Sequence, residues 1–114
     1  MNKLLVALPL FALTGGCLTA PSPPPAPYHA VGTEPFWNLL IDPINLTFTQ
    51  PDAQPILQRT PNSIIGVAGE SYQTQRISVN IVHARCSDGM SDRSYPDTVD
   101  VTVDGRQFKG CGGL

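Results

Sequence analysis

The chain has 114 residues, of which 14% are charged, and its seven lysines and arginines against nine aspartates and glutamates give a formal net charge of −2. So few scattered cations exclude a basic stripe of the kind that binds nucleic-acid phosphates. The length suffices for one small domain, which would be marginally stable on hydrophobic burial alone.

The first residues have the pattern of an export signal. Lys3 supplies a positive start, residues 4–13 form a short apolar run, and small residues lead to Cys17. A helix needs about 20 apolar residues to span a bilayer, so this run predicts a signal peptide over residues 1–16. The stretch before Cys17 resembles the lipobox of bacterial lipoproteins, with Thr14 where leucine is commonest. An ordinary secretory signal is the alternative.

The lipobox resemblance implies that Cys17 becomes the mature N-terminus and carries acyl chains such as palmitate. Leu18 follows it, where an aspartate would resemble an inner-membrane retention signal. The resemblance therefore implies a lipid anchor in the outer membrane, facing the periplasm. With Cys17 acylated, Cys86 and Cys111 remain as a pair in an oxidising compartment, which predicts a disulfide between them.

Residues 17–30 are predicted to form the lipidated cysteine and a tether. The tether is rich in proline, which favours an extended polyproline II path without internal hydrogen bonds. The seven residues from Pro21 to Pro27 would span about 22 Å at 3.1 Å each. The sequence therefore predicts a semi-rigid spacer ahead of a folded domain at residues 31–114.

That domain is predicted to be all-β. Trp37, Leu39 and Ile41 share one face of a strand, because side chains alternate with a period of two. Further strand patterns, bounded by turn residues, occur in residues 45–50, 55–59, 63–69, 76–84, 98–103 and 106–110. We expect six or seven strands in a small antiparallel β-barrel with lipocalin-like or sandwich-like closure.

The best-specified part of this fold is a hairpin near the C-terminus. Asp104 and Gly105 form a two-residue turn signal. That turn places Val101 opposite Phe108, and both then point to the same face. Cys86 ends a predicted strand and Cys111 ends the last one, so we expect these strand ends to lie side by side.

Two segments carry unusual chemistry. The first is GTEPFW, residues 32–37, in which Phe36 and Trp37 must face opposite ways. The structural interpretation places Trp37 in the core and leaves Glu34 exposed at a strand start. The functional interpretation makes Glu34 and the outward aromatic flank a shallow pocket, which suits a sugar or a cation.

The second segment is CSDGMSDRSYP, residues 86–96, which is predicted to form a polar loop. Every polar residue in it has a structural use, because the loop must satisfy its own backbone hydrogen-bonding groups while the disulfide holds its base. Its polar and aromatic content exceeds what strand closure needs, so we also regard it as a contact surface. The candidate binding residues from both segments are Glu34, Phe36, Trp37, Asp88, Met90, Asp92, Arg93 and Tyr95.

Catalytic and metal sites are not indicated. A nucleophilic Cys86 would have to be reduced, and no G-x-S-x-G elbow is present. Asp88 and Asp92 lack the spacing of a calcium loop. His29 and His83 do not cluster with other ligands, and His83 continues an apolar strand face as a packed histidine would. No catalytic residue, metal or cofactor is predicted.

The two segments, together with a terminal GC after DGRQFK, resemble a family of uncharacterised proteobacterial envelope lipoproteins. The resemblance covers about residues 31–112. Similar domains are sometimes joined to an inhibitor domain for c-type lysozyme. This association implies only a cellular compartment, and no established activity comes with the resemblance. No catalytic residue comes with it.

The leading hypothesis is a non-enzymatic binding or envelope-maintenance module. Its partners would be the membrane, through the lipid, and an envelope protein or a cationic host protein, but not nucleic acid. One alternative is an inhibitor of a cationic hydrolase such as c-type lysozyme. A second is a periplasmic hydrolase that uses Glu34 with Asp88 or Asp92, which requires two carboxyls about 5 to 10 Å apart.

Overall fold

The computed structural model describes residues 26–89 and 92–114, so the predicted signal peptide, Cys17, most of the tether, Met90 and Ser91 lie outside it. The described residues form strands and no helix, and none of them builds a helix long and apolar enough to cross a bilayer. The strands are β1 (Tyr28–Thr33), β2 (Phe36–Ile41), β3 (Asn45–Thr49), β4 (Ile56–Arg59), β5 (Ile64–Ile65), β6 (Gly69–Gln73), β7 (Ile77–Val82), β8 (Cys86–Ser87), β9 (Ser94–Tyr95), β10 (Asp97–Val103) and β11 (Arg106–Gly112).

Nine of these strands form one antiparallel sheet in the order β4-β3-β2-β1-β11-β10-β7-β6-β5, while β8 and β9 pair separately. The sheet curls strongly and brings the first and last strands of the chain together in its middle. Its two edges, β4 and β5, are consecutive in the chain but are not paired with each other. The predicted all-β antiparallel barrel is confirmed as a half-barrel whose closure is incomplete.

The domain starts earlier than the sequence indicates. Tyr28, His29 and Ala30, which the sequence assigns to the tether, form the first half of β1, and all three pair with β2. The strand β6 and the β8–β9 hairpin were also not predicted. Their sequences carry glycine, glutamate, serine and cysteine, which have little strand signal of their own and depend on partners.

The concave face of the sheet holds the core. Every second side chain of the central strands points inward, as the two-residue period requires. Trp37, Leu39 and Ile41 are buried there, as predicted, and Val101 lies opposite Phe108 in the β10–β11 ladder, so the predicted register is confirmed. The remaining core members are Ala30, Leu46, Phe48, Ile77, Val79, Ile81, Val99 and Val103.

Trp37 organises one side of this core. Its ring centroid lies 5.8 Å from that of Phe48, and Phe48 lies 5.0 Å from Phe108. The indole crosses β1 above Gly32, its direct ladder partner, and reaches Gly110 in β11. A Cβ atom on either glycine would collide with the indole, so both positions must lack a side chain. Glycines in two separate segments therefore leave the space that the Trp37 ring occupies.

Two-residue turns connect the strands on either side of this contact. Thr33 pairs with Phe36 across a turn formed by Glu34 and Pro35, whose peptide bond is cis. Asp104 and Gly105 both have positive φ, at 48° and 87°, which matches the twist of a tight hairpin. The predicted turn at these two residues is therefore present.

Replacing Gly110 with alanine should destabilise the fold. The new Cβ would meet the Val31 carbonyl oxygen and the Trp37 ring, and a backbone oxygen cannot move aside as a flexible side chain can. Overpacking of this kind costs about 1 to 3 kcal/mol of unfolding free energy. Urea denaturation measures it, with Gly66→Ala as the control, because a Cβ there meets only the Gly69 oxygen at an ordinary 3.5 Å. Equal midpoints for the two variants would contradict the packing described.

Candidate functional site

The β8–β9 hairpin is attached to the convex face of the sheet by the predicted disulfide. Cys86 and Cys111 are joined, with 5.5 Å between their Cα atoms, so this prediction is confirmed. Because Phe108 points into the core, Cys111 three positions later points outward, level with Val31 and Thr98 in the neighbouring strands. Cys111 is nevertheless buried, since the hairpin covers it. The disulfide thus adds a second layer outside the sheet.

Cys86 differs in one respect from its predicted place. It does not end β7, which stops at Val82, but opens β8 after a short connection. In that connection the Ala84 amide donates to the Val82 carbonyl, and the Thr98 hydroxyl donates to the Ala84 carbonyl over 2.9 Å. These bonds turn the chain out of the sheet and over its convex face.

A pocket of about 250 Å³ lies between the hairpin and the convex face. Both unusual segments contribute to it, although more than fifty positions separate them in the chain. The lining includes Gly32, Thr33, Cys86, Ser87, Asp88, Thr98 and Lys109. It therefore combines three hydroxyl groups, one carboxylate and one ammonium group around a disulfide wall.

The GTEPFW residues divide between the core and the surface. Trp37 is 1% exposed and is fully used by the core. Phe36 is 54% exposed and points outward beside Thr33, its ladder partner, which lines the pocket. Glu34 is exposed in the turn. Trp37 and Glu34 therefore lie where the structural interpretation places them, and Phe36 is the outward aromatic residue, next to the pocket.

The loop residues also divide. Asp88 is half-buried and lines the pocket, whereas Asp92 and Arg93 are exposed. Tyr95 is buried in β9 opposite Cys86 and supports the hairpin. Met90 lies outside the described residues. Asp88 and Arg93 both take part in interactions within the domain.

A second polar cluster occupies the end of the sheet where β1 begins. The Tyr28 hydroxyl donates to one carboxylate oxygen of Asp97 over 2.7 Å, and the other Asp97 oxygen lies 2.7 Å from Nδ1 of His83. Nε2 of His83 lies 2.9 Å from a carboxylate oxygen of Glu70. We call these four residues the polar chain. It links β1, β10, the end of β7 and β6.

The sequence did not identify this cluster, apart from placing His83 on the inward face of its strand. His83 does point that way, but its side chain is about half exposed and binds two carboxylates instead of apolar neighbours. Tyr28, Glu70 and Asp97 also occupy inward positions, since each shares a ladder face with core residues. In the sequence, the cluster corresponds to four polar residues, each of which continues the core face of a strand near its end. This pattern can be recognised only after the strand register is known.

The charges in the polar chain support one another. The hydrogen bond that the His83 ring makes to the Asp97 carboxylate raises the pKa of His83, and Glu70 raises it further. Burial raises the pKa of the Tyr28 hydroxyl well above its usual value, and the bond to Asp97 acts in the same direction. The buried Asp97 carboxylate uses both oxygens within the chain of bonds, so the arrangement satisfies a buried charge as it must. It fastens the first strand to the domain.

Within residues 26–89 and 92–114, no group of three or more histidines, cysteines or acids is arranged to hold a metal ion. No protein-family model, no curated protein and no solved structure matches this chain.

Replacing both Cys86 and Cys111 with alanine should lower the unfolding free energy by roughly 3 to 4 kcal/mol. The bond closes a loop between residues 25 positions apart, and its loss returns that loop's entropy to the unfolded chain. Urea denaturation of the oxidised wild type and the variant measures the difference. A wild type that loses the same stability on reduction supplies the control, and unchanged stability in both would contradict the argument.

The contribution of His83 to stability should decrease at high pH. Its pKa is raised in the folded state above the ordinary value of about 6.5, so its stabilisation is complete below that value and is lost as the pH rises through the folded-state pKa. His83→Gln should therefore lower the melting temperature more at mildly acidic than at alkaline pH. Glu70→Gln should reduce this difference without abolishing it, because Asp97 remains. An equal effect of His83→Gln at both pH values would refute the assignment.

Proposed function

We propose that this chain is a lipid-anchored binding module of the bacterial outer membrane, facing the periplasm and without catalytic activity of its own. The pocket beneath the β8–β9 hairpin would be its contact surface. One observation carries the proposal: the start of GTEPFW, at Gly32 and Thr33, and the start of the polar loop, at residues 86–88, line the same pocket after folding. A purely structural use of both segments would not require Thr33, Ser87 and Asp88 to lie around the same pocket.

The chemistry of the pocket supports binding of a small polar group or a short peptide segment. The hydroxyl groups of Thr33, Ser87 and Thr98 can donate and accept hydrogen bonds, and Asp88 and Lys109 offer one charge of each sign. Phe36 adds an exposed apolar ring at the side. A few placed polar groups beside an aromatic ring are typical of ligand sites. A ligand that carries both an ammonium and a carboxylate group fits this lining best.

Rigidity of the pocket supports the same proposal. One wall is the hairpin, which the disulfide holds against β11, and the other is the middle of the sheet, where β1, β11 and β10 are paired on both sides. Binding to preformed walls costs little ordering of the protein, so even a small contact area can give useful affinity. The anchor part of the proposal depends on the lipobox-like pattern ending at Cys17.

Site-specific crosslinking in intact cells tests this assignment. A photo-reactive phenylalanine analogue at Phe36 should give a defined adduct, identified by mass spectrometry, and Lys109→Ala should reduce its yield severalfold by removing the ammonium group from the pocket. The analogue at Leu57 is the matched control, because this side chain is similarly exposed but lies on β4, three strands away from β1. An identical adduct at both positions, or one unaffected by Lys109→Ala, would show that the pocket does not bind the partner.

A further inference from the structure

The end of the domain from which the N-terminal tether leaves carries exposed apolar side chains. Ile44 lies in the β2–β3 turn, directly after the pairing of Ile41 with Tyr28, and is 66% exposed. Leu114 follows Gly113, whose amide donates to the His29 carbonyl, and is 61% exposed. Both side chains therefore project beside the start of β1.

The β5–β6 hairpin adds the most exposed members of this set. Ile65 is 76% exposed and Val67 is fully exposed in the turn, and residues 63–69 contain no charged side chain. The turn lies at the same end, because the His83 amide donates to the Ala68 carbonyl next to the polar chain. We define Ile44, Ile65, Val67 and Leu114 as the apolar end. These residues lie on two turns and the chain end at one end of the domain, and exposed apolar side chains that share one side of a protein can form a surface that is covered in use.

The opposite end of the domain has a different composition. Its four turns each carry at least one ionisable residue, namely Glu34, Asp52, Arg76 and Asp104. At the apolar end, the Asp42 carboxylate is used inside its own turn, where it accepts the backbone N–H groups of Ile44 and Asn45. The exposed Arg59 pairs with Asn45 at the end of β4 and stands beside this turn. The half-exposed His83 also lies at the apolar end, so the two ends differ in the composition of their turns, and this difference has the direction expected of a molecule with one lipid-facing end.

We propose that the apolar end rests on the lipid surface in which Cys17 is anchored, with Ile65 and Val67 entering the headgroup boundary. This inference rests on the proposed lipid anchor. Residues 18–27 connect Cys17 to Tyr28, and Ala26 lines pockets at this end together with Tyr28 and Leu114, so the chain enters the domain here. A tether of this length, even when extended, keeps the domain within a few tens of ångströms of the surface and so raises its local concentration there. A few apolar side chains, each of which would bind too weakly alone, then suffice for contact.

The docked orientation leaves the proposed binding pocket accessible. The pocket lies on the convex face of the sheet, from the end of β1 at Thr33 to the middle of β11 at Lys109, and none of the four residues of the apolar end lines it. The contact that brings Val67 to the lipid therefore uses residues other than those that line the pocket. Arg59 on the lipid side matches anionic headgroups, which attract basic residues near a membrane surface.

Fluorescence quenching on vesicles tests the docking. The full-length lipidated protein is reconstituted in vesicles of phosphatidylethanolamine and phosphatidylglycerol, with an environment-sensitive thiol probe on Val67→Cys. Lipids brominated in the acyl chain should quench this probe several times more strongly than one on Gln107→Cys, an exposed position beside the opposite turn. Adding Ile65→Ser to an Ile44→Cys probe variant should reduce quenching at residue 44, because the contact is shared.

The outcomes separate docking from anchoring. Equal quenching at residues 67 and 107 in protein that sediments with the vesicles would overturn the docking and leave the anchor standing. Protein that does not sediment with the vesicles would overturn both. The crosslinking at Phe36 reports on the pocket independently of either result.

Discussion

The disulfide between Cys86 and Cys111 is the constraint on which the rest of the structure depends. A single curled sheet can bury only its concave face, and in so short a chain that core leaves little stability to spare. The bond fastens the β8–β9 hairpin to the convex face and covers Cys111 there. It therefore stabilises the domain by lowering the conformational entropy of the unfolded chain. It also creates the only second layer among the described residues. The pocket exists because of that layer.

Because side chains alternate along a strand, successive residues of β11 face opposite sides of the sheet and make different contacts. Gly110 faces inward and leaves room for the Trp37 indole, Cys111 faces outward and forms the disulfide, and Gly112 faces inward beneath the Tyr28 ring. A shift of one residue in register would exchange these faces and break all three contacts at once. The short segment GCG thus specifies its own alignment strongly, in a strand that otherwise has little apolar content.

The hairpin register and the opposite orientations of Phe36 and Trp37 could be predicted from the sequence, because each depends only on residues close together in the chain. The Asp104–Gly105 turn determines the pairing of Val101 with Phe108, and alternation alone separates Phe36 from Trp37. The polar chain could not be predicted. Tyr28, Glu70, His83 and Asp97 come from four strands or strand ends, and their meeting depends on the register of every ladder between them. The strand β1 was missed at its start because Tyr28 follows a proline-rich segment and makes its contacts with residues far away in the chain.

The position of β1 in the sheet explains why the polar chain lies where it does. The first strand is not an edge strand: it pairs with β2 along its whole length and with β11 at Ala30 and Val31. In the proposed anchored protein, a pull on the preceding chain would reach Tyr28 first, and Ala30 and Val31, which are paired on both sides, would resist peeling better than an edge strand does. The hydroxyl of Tyr28 is in turn bonded to the buried Asp97, so displacing it would leave a buried carboxylate short of a partner, which is costly. Under the proposed anchoring, the polar chain therefore lies at the point where the attached segment enters the fold.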